Sequence, residues 1–320
     1  MKKTTIIIPT KNGGKQFKKV LEACLNQKVP WEYDVIVVDS GSTDDTLMYC
    51  QRFEDVTVLT IKPEEFGHGR TRNFAISKAN SEFVVLITQD ALPFDNNWLY
   101  ELVSAADANP NIAGAFGRHI AYPQSSIFTA RDLKLHFDGF AAAPSVVCLD
   151  DIHRYENEVG YRQFLHFFSN NNSCLRKDVW NEIPFPEVDF AEDQIWAKKV
   201  IEAGYKKAYA DKAIVYHSHD FAIWETFRRS FDEASAFYRL FGYILTPNIF
   251  SGTAVVFRQS VRDFKCAFES GFTFKGLFQY FQQILINLAK QLGFYLGKKG
   301  DSLPRAVQNV ISRDKWLASR

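Results

Sequence analysis

Nowhere in its 320 residues does this sequence run for the roughly twenty consecutive apolar positions that a membrane-spanning helix needs. The run Ile6-Ile7-Ile8 is cut by Pro9 and is too brief for a signal-peptide core. The expectation is a cytoplasmic protein that reaches, at furthest, the inner face of the cell membrane. Excess charge of one sign is also missing: the net charge is +1, which argues against nucleic acid as the main partner. Cysteines number five and are scattered, with no C-x-x-C spacing, so a zinc or redox centre built on thiols is excluded. The glycines of Gly67-His68-Gly69 lack the third member and the preceding strand of a dinucleotide fingerprint, which ranks a nicotinamide-dependent dehydrogenase last. No internal repeat and no low-complexity linker interrupts the chain.

What is present is an alternation. The β-branched run 4–9 is followed by Phe17, Val20, Leu21 and Cys24 at helical spacing, and the same β-then-α pattern returns through about residue 106. Strands are expected near 34–39, 56–60 and 83–88, with helices at 44–52, 71–78 and 97–106. Repeated βαβ units imply an α/β fold, a mostly parallel sheet with helices on both faces. Residues 108–170 carry one further strand, 112–116, and then a polar and aromatic stretch that reads as a mobile lid or acceptor loop.

Past residue 221 the pattern changes. Fourteen of the 29 phenylalanines fall between Phe221 and Phe294, many at helical spacing, and residues 222–320 carry a charge of +7 against −6 for residues 1–221. A division into a domain of residues 1–221 and a helical, basic, Phe-rich region 222–320 follows. That region is either a cap or homo-oligomer interface, or a set of helices lying on an anionic membrane surface with Lys290, Lys298, Lys299 and Arg305 near the headgroups.

In an open parallel sheet, ligands bind beyond the carboxyl ends of the strands. Thr10 and Asn12 follow the first strand, Asp39 the second, and Gln89 and Asp90 a later one. Arg70, Arg72 and Asn73 lie at a helix start, where guanidinium groups and backbone N–H groups suit phosphate. Each has a plainer explanation: Asp39-Ser40-Gly41-Ser42-Thr43-Asp44 is also a good turn with a helix cap. Glu192 and Asp193 open another helix, where acidic residues complement the helix dipole whether or not they do chemistry. His217 and His219, at i and i+2 on an extended segment, point one way and with a carboxylate such as Asp90 could ligate Mn2+ or Mg2+.

These stretches together resemble the GT-A-fold (Rossmann-like) family 2 glycosyltransferases, and within them the bacterial polysaccharide rhamnosyltransferases. Carrying the resemblance over residues 3–221 are, in order, Ile-Ile-Ile-Pro-Thr-Lys-Asn, Val-Val-Asp-Ser-Gly-Ser-Thr-Asp-Asp-Thr, Phe-Gly-His-Gly-Arg-Thr-Arg-Asn, Thr-Gln-Asp-Ala, Phe-Phe-Ser-Asn-Asn-Asn-Ser, Ala-Glu-Asp-Gln and His-Ser-His. The resemblance implies that Thr10, Asn12, Asp39, Arg72 and Gln89 hold the donor nucleotide. It implies that Asp90 with His217 and His219 holds a divalent metal, and that Asn170, Asn171 and Asn172 lie near sugar. Asp193 would be the catalytic base and Glu192 its supporting neighbour. Thr88 occupies the first position of the family's Asp-x-Asp motif, leaving only the second carboxylate, Asp90. The implied activity is inverting transfer of rhamnose from dTDP-rhamnose to a glycan or lipid-linked oligosaccharide. The alternatives are a UDP-sugar-dependent transferase of galactose or N-acetylglucosamine, and a non-catalytic sugar-nucleotide-binding protein of the same fold.

Overall fold

The runs Ile6-Ile7-Ile8, Val35-Ile36-Val37-Val38 and Phe83-Val84-Val85-Leu86-Ile87 do not alternate with polar residues, because both faces of the sheet they build are covered. In the computed structural model, which describes residues 2–188, 190–271, 274–313 and 315, Ile6, Ile8, Val35, Val37, Phe83 and Val85 pack into a core on one face with the first and fourth helices. Ile7, Ile36, Val38, Val84 and Leu86 pack into a second core on the other face, with Ala75, Ile76 and Trp196.

In chain order the elements are β1 (Lys2–Thr10), α1 (Gly14–Leu25), β2 (Tyr33–Asp39), α2 (Thr46–Cys50), β3 (Val56–Thr60), α3 (His68–Lys78), β4 (Ser81–Ile87), β5 (Leu92–Pro93) and α4 (Trp98–Asp107). There follow β6 (Ile112–Ile120), α5 (Ile127–Ala141), β7 (Val146–Val147), α6 (Ile152–Asn157), α7 (Val159–His166), β8 (Asn172–Arg176), α8 (Lys177–Glu182), α9 (Glu192–Glu202) and β9 (Lys206–Tyr216). The remainder is helical: α10 (Ile223–Phe241), α11 (Ile249–Glu269), α12 (Phe274–Gly297) and α13 (Arg305–Ile311).

The strands form one sheet in the order β3-β2-β1-β4-β8-β6-β9-β5, with β7 paired to β9. β3, β2, β1 and β4 are mutually parallel. β8 runs antiparallel to both β4 and β6, and β9 parallel to β6. This arithmetic of directions decides where chemistry can sit. The carboxyl ends of β1, β2, β4, β6 and β9 and the amino end of β8 all emerge at one edge of the sheet, Ile87 pairing with Asn172 and Ile120 with Tyr216.

One expectation is corrected. The stretch 108–170 is not a long loop: it contains α5, α6 and α7, and Phe137, Phe140 and Phe168 from it are buried in the second core. Its aromatic positions pack on the sheet face around Phe116 and Tyr209, a role hidden in the sequence by the polar residues between them. The chain forms two compact units. One compact unit is Met1–Tyr122 with Leu133–Ser218, and the other is Pro123–Asp132 with His219–Arg320.

Within the second unit α10 and α12 approach closely through glycine. A Cβ at Gly293 would lie 2.6 Å from the Phe227 carbonyl oxygen, and one at Gly297 would lie 2.4 Å from that of Phe231. Arg131 and Asp263 form an ion pair of 2.6 Å in this unit, and Asn287 donates to the other Asp263 oxygen at 2.6 Å. Among the described residues no helix is long and apolar enough to cross a membrane.

Candidate active site

Three loops at the sheet edge are tied to one another by side chains. Gln89, after β4, accepts from the Thr10 hydroxyl at 2.7 Å and from the Lys11 backbone N–H at 3.0 Å, joining the ends of β4 and β1. Asn12 Oδ1 accepts from the Thr43 and Asp44 backbone N–H groups at 2.7 and 3.3 Å. Asp39, 1% exposed, accepts from the N–H groups of Gly41 and Ser42 at 3.0 Å and from the Ser42 hydroxyl. Four of the five residues assigned to the donor nucleotide, Thr10, Asn12, Asp39 and Gln89, are thus brought together, and each spends its side chain on holding the loops. The turn explanation for Asp39 is the one its hydrogen bonds satisfy.

The fifth, Arg72, is elsewhere. It is 5% exposed and donates to the Glu192 carboxylate at 3.0 Å and to the His68 carbonyl at 3.1 Å. Arg72 thus forms a buried ion pair that anchors the start of α9. Its neighbours do the same job: Arg70 pairs with Glu187 at 3.4 Å, and Asn73 donates to the Phe185 carbonyl at 2.8 Å. Gly69 permits the approach, since a Cβ there would lie 2.2 Å from the Pro186 carbonyl oxygen. The first turns of α3 grip the segment that leads into α9.

Asp193 stands at the end of that grip. Ala191 just before it has φ 58°, and the other non-glycine residue of positive φ among those described is Asn12, at 49°. Left-handed backbone at an alanine costs about 1 kcal/mol or more and persists where the surroundings demand it. Asp193 Oδ2 accepts the Asn170 N–H at 3.1 Å, and Oδ1 accepts the Gln194 N–H at 2.8 Å. Asn170, 1% exposed, also donates its amide to Glu192 at 3.1 Å, so Glu192 is bound from two sides. Burial, and next the adjacent Glu192 carboxylate, push the Asp193 proton affinity from the ordinary 3.8 up to about 7, against the pull of those N–H donors and of Arg72. A carboxyl group so placed can take a proton from a hydroxyl near neutral pH.

Past the ends of β4 and β9, Asp90 and His217 approach to 3.7 Å, and His219 completes a group whose ligand atoms all lie within 4.8 Å of one another. β9 ends at Tyr216, so the two histidines lie just past the strand, with ring nitrogens close to the Asp90 carboxylate. One carboxylate oxygen and two imidazole nitrogens are a donor set that suits a borderline divalent ion such as Mn2+ better than the harder Mg2+, which prefers oxygen ligands. Tyr122 locks the turn: its N–H donates to Ser218 Oγ at 2.9 Å, its hydroxyl donates to the Asp90 carbonyl at 3.0 Å, and its ring stacks on Tyr216. His119, buried and without a hydrogen-bond partner for Nε2, sets its ring edge-on to His217 at 5.3 Å.

Asn171 is half-buried beside Asn170. Asn172 points into the sheet. It is fully buried, accepts from the Trp98 indole at 2.8 Å and donates to the Ala213 carbonyl at 2.8 Å, because an amide on a central strand must satisfy both ends internally. Tyr122 and His119 escaped the sequence reading. Neither sits in a motif, and only the pairing of β6 with β9 puts them beside His217.

The glycosyl transferase family 2 model matches residues 5–170. The O-antigen chain rhamnosyltransferase RfbN of Salmonella typhimurium is 30% identical, over 98% of this chain and 95% of that protein. WbaN of Salmonella anatum, described in the same words, is 31% identical over 97% and 94%. Among solved structures the chain is similar in fold to the mannosyltransferase PcManGT of Pyrobaculum calidifontis, solved with GDP-Man and Mn2+, with a TM-score of 0.61 and 16% identity over 94% of this chain and 88% of that one.

Proposed function

The chain belongs to glycosyl transferase family 2, and we propose that it transfers rhamnose from dTDP-rhamnose, with inversion, to a hydroxyl of a lipid-linked polysaccharide precursor. Support for the sugar comes from two relatives, both named as O-antigen chain rhamnosyltransferases and both matched along nearly their whole length. The observation that carries the chemistry is Asp193: a carboxyl group with its proton affinity raised to about 7, held by Asn170 and Gln194 beside the buried Arg72–Glu192 pair.

In this reading Asp193 accepts the proton of the acceptor hydroxyl as its oxygen attacks the anomeric carbon. Attack from the side opposite the departing nucleoside diphosphate inverts that centre in one displacement, through an oxocarbenium-like transition state. The Glu192 carboxylate, paired with Arg72, raises the affinity of Asp193 by its charge. The loops after β1, β2 and β4, tied by Asn12, Asp39 and Gln89, frame the nucleotide. Mn2+ or Mg2+ on Asp90, His217 and His219 would neutralise charge developing on the diphosphate, and Tyr122 and His119 keep those ligands in place.

The test is a screen of dTDP-rhamnose, UDP-galactose and UDP-N-acetylglucosamine with a lipid-linked oligosaccharide, with Mn2+, with Mg2+ and after chelation, read as nucleoside diphosphate release. Release from dTDP-rhamnose at least tenfold faster than from either UDP-sugar is expected, with loss on chelation and return with metal. Faster release from a UDP-sugar would overturn the sugar assignment, and full activity after chelation would overturn the metal.

A further inference from the structure

The second unit exposes apolar side chains in an ordered way. On α11, Phe250, Phe257, Val261, Phe264 and Phe268 are all exposed, Phe250 at 87%, Phe257 at 71% and Phe268 at 67%. At about 100° per residue these five fall within roughly 60° of one another around the helix. On α12, Phe278, Phe281, Leu285, Leu288 and Leu292 are exposed and make a second stripe at the same spacing. Tyr280 joins the stripes, its ring 5.7 Å from both Phe264 and Phe281. The α12 stripe runs into a groove of about 500 Å3 between α10, α11 and α12, whose walls include Trp224, Ile249, Val256, Leu288 and Tyr295. So large a connected apolar surface on a monomer marks an interaction site.

Charge decides what it meets. Arg258, Arg262 and Lys265 are exposed on α11 and flank its apolar stripe. At the groove, Lys298 and Lys299 hold their ammonium groups 4.8 and 5.2 Å from the Tyr295 ring. A second copy of this chain would bring the same cations, and residues 222–320 carry +7. A surface that is apolar within and negative at its rim answers both features at once. Among the described residues no helix is fit to span a bilayer, so the helices would lie along the interface rather than cross it. We propose that the exposed face of α11 and α12, with the adjoining groove, docks on the surface of an anionic phospholipid bilayer. Phenylalanines enter the acyl boundary, and Arg258, Arg262, Lys265, Lys298 and Lys299 lie at headgroup level.

The inference stands apart from the assignment of donor and base, because flotation is read without either substrate. The full chain is mixed with vesicles of phosphatidylcholine alone or with phosphatidylglycerol and floated through a density gradient. Flotation on the phosphatidylglycerol vesicles only is expected, reduced at least tenfold by Phe257→Ser with Phe268→Ser and several-fold by Arg258→Gln with Lys265→Gln. Both pairs are exposed, so circular dichroism and the melting temperature should match those of the parent. A parent protein left in the soluble fraction, or equal flotation on neutral vesicles, overturns the proposal. So does a dimer, seen by light scattering, that the phenylalanine variants dissociate without changing flotation.

Discussion

Asp193 shows how far a residue can be read before its surroundings are known. From the sequence it was an acid at a helix start, explained as well by the helix dipole as by chemistry. The structure adds burial, an adjacent charge and a buried cation, and these make its protonation useful near pH 7. If Asp193 is the base, transfer must rise with pH as it loses its proton, with an apparent pKa of about 7 belonging to the Glu192–Asp193 pair. Asp193→Asn should lower kcat by at least a thousandfold while donor affinity holds. Stability runs the other way. With a folded-state affinity raised above 3.8, Asp193 contributes stability that is complete below about pH 4 and is lost as pH rises towards 7. Asp193→Asn keeps that contribution, so its melting temperature should gain on the parent's across this window, which scanning calorimetry at pH 4 to 8 would read. Arg72→Gln takes away the cation that holds the affinity of Asp193 down and leaves Glu192 unpaired. Its pH–rate profile should move to higher pH, at a cost of about 3–5 kcal/mol in stability; an unmoved profile would rule out the coupling.

At the scale of elements, the β-then-α alternation was legible because both faces of the sheet are covered and its strands read as unbroken apolar runs. Strand ends likewise pointed to the rim. What could not be read was which rim residues face outward. Asn172 and Arg72 carry the same polar side chains as functional residues, but hydrogen bonds to segments up to 120 residues away turn them inward. The clamp between α3 and the 185–192 segment was invisible for the same reason. Gly69 tests that clamp: Ala there presses a methyl group on the Pro186 carbonyl and must shift α3 from the segment that carries Asp193. Gly69→Ala should cost about 1–3 kcal/mol and lower kcat tenfold or more, with little change in donor KM. Gly139, on α5, has no neighbour within 4 Å of its would-be Cβ, and Gly139→Ala should instead stabilise by about 0.5–1 kcal/mol with activity intact. Equal kinetics for the two variants would sink the clamp.

Across the whole molecule, composition marked a basic, phenylalanine-rich C-terminal region, yet it could not show that an earlier segment belongs with it. Residues 123–132 lie in the second compact unit, and Arg131 in that segment pairs with Asp263, whose side chain is 1% exposed and is bound also by Asn287. Cys266 and Arg262 reach the same segment through the Ile127 carbonyl and Asp132. Nothing in the periodicity around residue 130 announces these partners, because they stand more than 120 positions away in the chain. A chain ended at residue 221, as the change of sequence pattern alone would suggest, keeps Arg131 but removes every one of them. Removing one partner of a buried ion pair costs about 3–5 kcal/mol, a large share of a domain's net stability. The truncated chain should therefore melt well below the full protein or without a cooperative transition, and Asp263→Ala in the full chain should reproduce part of that loss. Thermal unfolding followed by circular dichroism compares the three; a 1–221 chain that melts as sharply and as high as the parent would show that residues 123–132 need no partner from the C-terminal helices.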